Sequence, residues 1–102
     1  MGDNEDILAA VETKGGGYVW DAEVFAVTLM DVAVSDDEAL MLCKLAGVQQ
    51  IALDASRLSF STLQRLARIP GLNSLVLNHS PLGDQQIDAL VTIGPQILQV
   101  NE

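Results

Sequence analysis

Apolar residues return along this chain at a spacing of 24. Val24, Val48 and Leu72 are evenly placed (48 minus 24, 72 minus 48), and six further positions keep step with them. They are Val27, Ile51 and Leu75; Leu29, Leu53 and Leu77; Val34, Leu58 and Leu82; Ala39, Leu63 and Ile87; Leu42, Leu66 and Leu90; and Leu45, Ile69 and Ile93. All of these positions are apolar in a chain that is only 49% hydrophobic, so the echo predicts a structural unit used three times. A fourth, partial copy follows if one residue is inserted around Gly94-Pro95-Gln96. Ile97 and Val100 then fall on the template.

The period changes within each copy. Ile51-Ala52-Leu53 and Leu75-Val76-Leu77 alternate, which is strand spacing. Leu63, Leu66 and Ile69, like Ile87, Leu90 and Ile93, recur every third residue, which marks one face of a helix. Ser35-Asp36-Asp37-Glu38 reads as a capping box, with acid where a helix N-terminus favours it. Ser59 holds the same place in the second copy, and Asp84 lies one residue later in the third. Gly47, Gly71 and Pro70 mark the return to the next strand. Each copy therefore predicts a short strand, a turn, a helix and a return. One such unit cannot bury its own apolar face, so the copies must stack, with strands pairing in parallel and helices forming the outer layer.

The N-terminal segment follows a different pattern. Asp3 to Gly17 predicts a helix with Ile7, Leu8 and Val11 on one side and Gly15 as its stop. Tyr18 to Leu29 predicts a hairpin turning near Asp21-Ala22. Residues 1–23 are thus expected to cap one end of a repeat region spanning 24–102.

The strand segments read VFAVTLMDVAV (24–34), VQQIALDASRL (48–58) and LNSLVLNHSPL (72–82). This pattern resembles the leucine-rich repeat, particularly the short bacterial type with Ser or Thr at the ladder position. VSDDEAL and LGDQQIDAL resemble that type's helix start. The ladder position falls on Val32, Ser56 and Ser80; the two serine hydroxyls can satisfy backbone groups in the turn, whereas Val32 cannot. The resemblance implies a right-handed α/β solenoid, a horseshoe segment with a concave parallel sheet and outer helices. It also implies binding of a protein or peptide, without catalysis.

Charge narrows the partners. Fourteen acidic residues against five basic ones give a net charge of −9. Phosphate recognition needs clustered Lys and Arg, so nucleic acid and anionic membrane surfaces are not expected partners. No secretion signal or membrane-length apolar run is evident, and a cytoplasmic location is the expectation. The single Cys43 cannot form an internal disulfide.

The chemistry-bearing residues have plain readings. Gly15-Gly16-Gly17 lies after a helix and before a strand, the reverse of a phosphate-binding loop, and reads as a helix stop. His79 shares a column with Asp31 and Ala55; Asp31, two strands away, would be roughly 9.6 Å off, so His79 reads as an exposed turn residue. Cys43 reads as a half-buried thiol on the helical layer. Asp36, Asp37 and Glu38 read as helix-capping acids rather than a cation site. Tyr18 and Trp20 are expected to pack the cap, with an exposed binding anchor as the alternative. No catalytic, cofactor or metal site is expected.

Alternation along the strands names the face away from the helices. Its columns are expected to be Ala26, Gln50, Ser74 and Gln99; Thr28, Ala52, Val76 and Asn101; and Met30, Asp54 and Asn78. Gln50, Asp54, Ser74, Val76, Asn78 and Gln99 form the candidate binding surface, suited to weak or avid binding because it holds no aromatic anchor. Ile97, Leu98 and Val100 form a candidate edge contact, where a homodimer or a partner strand would pair. The expected function is a protein-interaction module. The alternative is a structural or dimerising domain, or a fragment of a longer repeat array.

Overall fold

Three parallel strands carry the 24-residue echo into space. In the computed structural model, which describes residues 3–80 and 82–100, the element order is α1 (Asp3–Lys14), β1 (Gly17–Trp20), β2 (Phe25–Ala33), α2 (Asp36–Leu42), β3 (Gln50–Asp54), α3 (Phe60–Ala67), β4 (Ser74–Asn78), α4 (Asp84–Ile93) and β5 (Gln96–Val100). The strands form one five-stranded sheet in the order β1-β2-β3-β4-β5. Val27 lies beside Ile51 and Ile51 beside Leu75; Leu29, Leu53 and Leu77 form the next row. These six side chains are buried in one core with Leu42, Leu63, Leu66 and Leu90 from the helices.

The regularity ends on both sides of these three strands. β1 pairs with β2 antiparallel, so the sheet is mixed. The β2–β3 ladder jumps from Leu29 opposite Leu53 to Ala33 opposite Asp54, leaving residues 30–32 as a bulge. At the other end, Gln96 pairs with Ser74 and Leu98 with Val76, a separation of 22 (98 minus 76). The expected right-handed leucine-rich-repeat solenoid is therefore corrected. The chain forms a small α/β fold on a mixed sheet, with a radius of gyration of 12.5 Å, and not a solenoid-like repeat.

The physical reason for the shifted last strand lies in its connection. α3 is joined to β4 by residues 68–73, whereas the longer α4 is joined to β5 by residues 94–95 alone. Gly94, at φ 150°, makes that abrupt exit possible. Two expected columns change as a result. Gln99 sits beside Leu77 on the helix side of the sheet, and Gln96 takes its expected place beside Ser74. Met30 lies within the bulge rather than in line with Asp54. Asn101 lies outside the described residues.

Helix starts follow the sequence signals. Ser35 caps α2 in a reciprocal box with Glu38, and the Ser59 hydroxyl accepts the Thr62 amide at the start of α3. Asp36 does something the sequence pattern did not suggest: its carboxylate accepts the Ser59 amide at 2.9 Å, joining the first turn of α2 to the cap of α3. That bond holds the Asp36 carboxyl below its usual range, assisted by the Thr62 hydroxyl. Gly83 has no side chain to cap α4, so only the return bond from its amide to Gln86 Oε1 is made.

The N-terminal elements form as the sequence predicts. Ile7, Leu8 and Val11 are buried, and Gly15 ends α1 at φ 108°. Asn4 clips the start of α1 to the chain after α2, accepting the Ala46 amide at 2.9 Å and donating to its carbonyl at 3.0 Å. Lys14 pairs with Glu38 at 2.9 Å along the same helix–helix boundary. The hairpin turns through residues 21–24, where the Asp21 carboxylate accepts the amides of Glu23 and Val24 at 2.8 Å. One template residue fails here: Val24 is exposed in the turn, and Phe25 fills the core instead.

Candidate functional site: the uncovered sheet face

The helices cover one face of the sheet and leave the other open. On strands that alternate, residues 26, 28, 50, 52, 54, 74, 76 and 78 face away from the helical core. Register aligns Thr28, Ala52, Val76 and Leu98 as one continuous row across four strands. The row grows more apolar toward β5. Leu98 is 41% exposed, while the Val76 beside it is 9% exposed. Gln50 is exposed and Ser74 half-buried, so polar side chains flank the row.

A second feature lies near the hairpin. Tyr18, Val19, Ala26, Thr28, Gln50 and Ala52 line an open depression of about 350 Å³. Val19, beside Ala26 in the ladder and 53% exposed, stands at this end of the open face, whereas Tyr18, beside Val27, is set on the helix side. Trp20 stacks on Phe25 with ring centroids 5.2 Å apart, as expected of a packing residue, yet stays 45% exposed.

The polar end of the face gathers Asp54, Asn78 and His79. Asp54 accepts the Ser56 amide at 2.8 Å through Oδ1, and its Oδ2 lies 3.3 Å from His79 Nδ1. Burial pushes the Asp54 carboxyl up, but hydrogen bonds from the Ser56 hydroxyl and amide and from His79 outweigh it and leave the carboxyl below its usual range. His79 adopts a left-handed φ of 55°, a conformation in which His is enriched among non-glycine residues. Its amide donates to the Val100 carbonyl at 3.1 Å, so the same residue anchors β5. Strand alternation alone does not name this contact, because Asp54 lies beside Asn78 and not in the column of His79. The side chain of Asp31 falls outside what is described.

Asn78 is buried, against the expectation of a surface side chain. It lies beside Asp54 and donates across it to the Met30 carbonyl at 3.3 Å, a reach made possible by the bulge at residues 30–32. Its Oδ1 has no hydrogen-bond partner among the described residues. Ser80 performs the expected turn role by accepting the Leu82 amide at 3.2 Å, while the Ser56 hydroxyl turns to Asp54 instead.

The edge residues divide by direction. The Gln96 amide donates to the Asn73 carbonyl, and the Val100 carbonyl accepts from His79. In a parallel ladder such bonds come from alternate residues, so the backbone groups of Ile97 and Gln99 point to the open edge. Their side chains point to the helix side, while Leu98 and Val100 stand on the open face.

Among the described residues, no group of three or more His, Cys, Asp or Glu is arranged to hold a metal ion. Among the same residues, no helix is long and apolar enough to cross a membrane. Comparison with protein-family models, curated proteins and solved structures finds no match to this chain.

Proposed function

We propose that this protein is a non-catalytic interaction module that takes up an extended peptide strand along the β5 edge. The observation that carries the reading is the uncovered face, whose apolar row ends at the exposed Leu98 beside a strand edge that pairs with no other strand among the described residues. A strand added there would bond to Ile97 and Gln99 through its backbone. Its alternate side chains would lie next to Leu98 and continue the row, which is how edge addition combines affinity with selection. A second copy of this chain also carries such an edge. The net charge of −9 on each copy works against that pairing and favours a partner that is neutral or basic.

The test is selection of binders from a displayed random peptide library, followed by titration against Leu98→Glu and against a helix-side control, Ala89→Glu. The reading expects Leu98→Glu to lose the selected peptides and Ala89→Glu to keep them. Equal binding by both variants would refute it. Growth of the solution mass with concentration, lost in Leu98→Glu, would replace the peptide by a second copy.

A further inference from the structure

Three of the five basic residues, Lys44, Arg65 and Arg68, line one open groove of about 600 Å³ on the helical layer. Leu40, Cys43, Ile69 and Pro70 complete its walls, and no acidic residue contributes to them. Charge alone makes this arrangement unexpected. With fourteen acidic residues in the chain, surface cations have ample opportunity to pair. The two ion pairs found among the described residues, Lys14 with Glu38 and His79 with Asp54, involve none of these three.

Helix ends account for part of the pattern. Arg65 lies in the last turn of α3, Arg68 is its C-cap, and Lys44 follows the C-cap of α2. Cations are stabilised by the exposed carbonyls there. That preference explains basic residues on each helix end; it does not require them to share one hollow with an apolar floor. The two walls also sense each other. Burial pushes the Cys43 thiol up, and the Arg65 guanidinium across the groove offsets only part of that rise.

We infer that this groove binds an acidic peptide segment in which carboxylates alternate with apolar side chains. Arg65 and Arg68 present planar donor forks that match carboxylates two at a time, and Lys44 adds a third cation. Leu40, Ile69 and Pro70 supply the surface on which the intervening apolar side chains lie. The groove is on the opposite side of the sheet from the uncovered face, so this site stands or falls independently of strand addition at β5. A partner engaging both would be held by two distinct chemistries.

The probe is a short acetylated and amidated peptide alternating aspartate with leucine, compared with one carrying lysine in place of aspartate. Binding is followed by backbone amide shifts and by the rate at which iodoacetamide alkylates Cys43. The inference expects the acidic peptide to bind, to slow Cys43 alkylation, and to lose at least about tenfold in affinity in R65Q/R68Q, which should lose a little thermal stability at the α3 C-terminus yet stay fully folded at the assay temperature. Equal binding to wild type and R65Q/R68Q would overturn it, as would equal binding of the lysine peptide. Complete displacement by inorganic phosphate at matched concentration, with no protection of Cys43, would overturn the peptide assignment in favour of a bare anion. Absence of any shift at millimolar peptide would overturn it outright.

Discussion

Leu98 stands beside Val76 on the open face of the sheet, covering it from one side while remaining exposed itself. Val76 is thus buried without a helix above it. Truncating Leu98 uncovers its neighbour, so Leu98→Ala is expected to cost about 1 kcal/mol by urea unfolding, more than an ordinary surface substitution. A cost near zero would mean that β5 does not shield Val76.

Gly16 passes against β2 with no room for a side chain. A Cβ there would collide with the Thr28 carbonyl oxygen and the Leu29 side chain, whereas one on Gly17 would make an ordinary contact with Thr28 Cγ2 at 3.8 Å. Gly16→Ala is expected to destabilise by about 1–3 kcal/mol, and Gly17→Ala by much less. Comparing the two urea midpoints checks the approach of the N-terminal hairpin to the first parallel strand.

The Asn4 clip makes two hydrogen bonds to Ala46. Its loss in Asn4→Ala is expected to cost about 1–2 kcal/mol. The readout is faster hydrogen exchange concentrated in α1, leaving β3 and β4 unchanged.

Acid should weaken the link between α2 and α3. The Asp36 carboxyl lies below its usual 3.8 because it accepts the Ser59 amide. A folded-state value depressed in this way contributes stability above the unfolded value and loses it as pH falls through the folded one. Stability is therefore expected to drop below about pH 4. Asp36→Asn should flatten that part of the curve, since an amide oxygen still accepts the Ser59 amide without titrating. The check is the urea midpoint measured from pH 7 down to acid, wild type against variant.

Asn78 sets one donor to use and leaves its oxygen unpartnered among the described residues. Asn78→Asp removes the donor to Met30 and buries a carboxylate beside Asp54. It is expected to cost about 3 kcal/mol or more at pH 7, with partial recovery as the new acid is protonated. Asn78→Leu, which removes the orphaned oxygen and the donor together, should cost much less. Both are read by denaturant titration.

The three central strands were legible because burial repeats with them. Ile51 and Leu75, and Leu53 and Leu77, sit side by side as their spacing predicts. The departures arise where local geometry overrides spacing. Gly94 and Pro95 carry the chain into β5 sooner than a 24-residue rule allows, turning Gln99 to the helix side and Leu98 to the open one. The extra residues 30–32 swell β2, which lets Asn78 reach Met30. The left-handed turn at His79 brings its ring to Asp54, a neighbour that no strand alternation would name. The groove of Lys44, Arg65 and Arg68 was equally hidden, because each residue alone reads as an ordinary helix-end cation. The horseshoe expectation failed for a related reason: a strand–helix pattern specifies units that stack, but not how connection length and an antiparallel hairpin shape the ends of the sheet.

The most direct test of strand addition is amide hydrogen exchange along β5, with and without a library-selected peptide. The account predicts that the Ile97 and Gln99 amides, which point to the open edge, become protected on binding, while Gln96 and Leu98, facing β4, change little. Protection confined to the helices, or no change at Ile97 and Gln99 at saturating peptide, would contradict it.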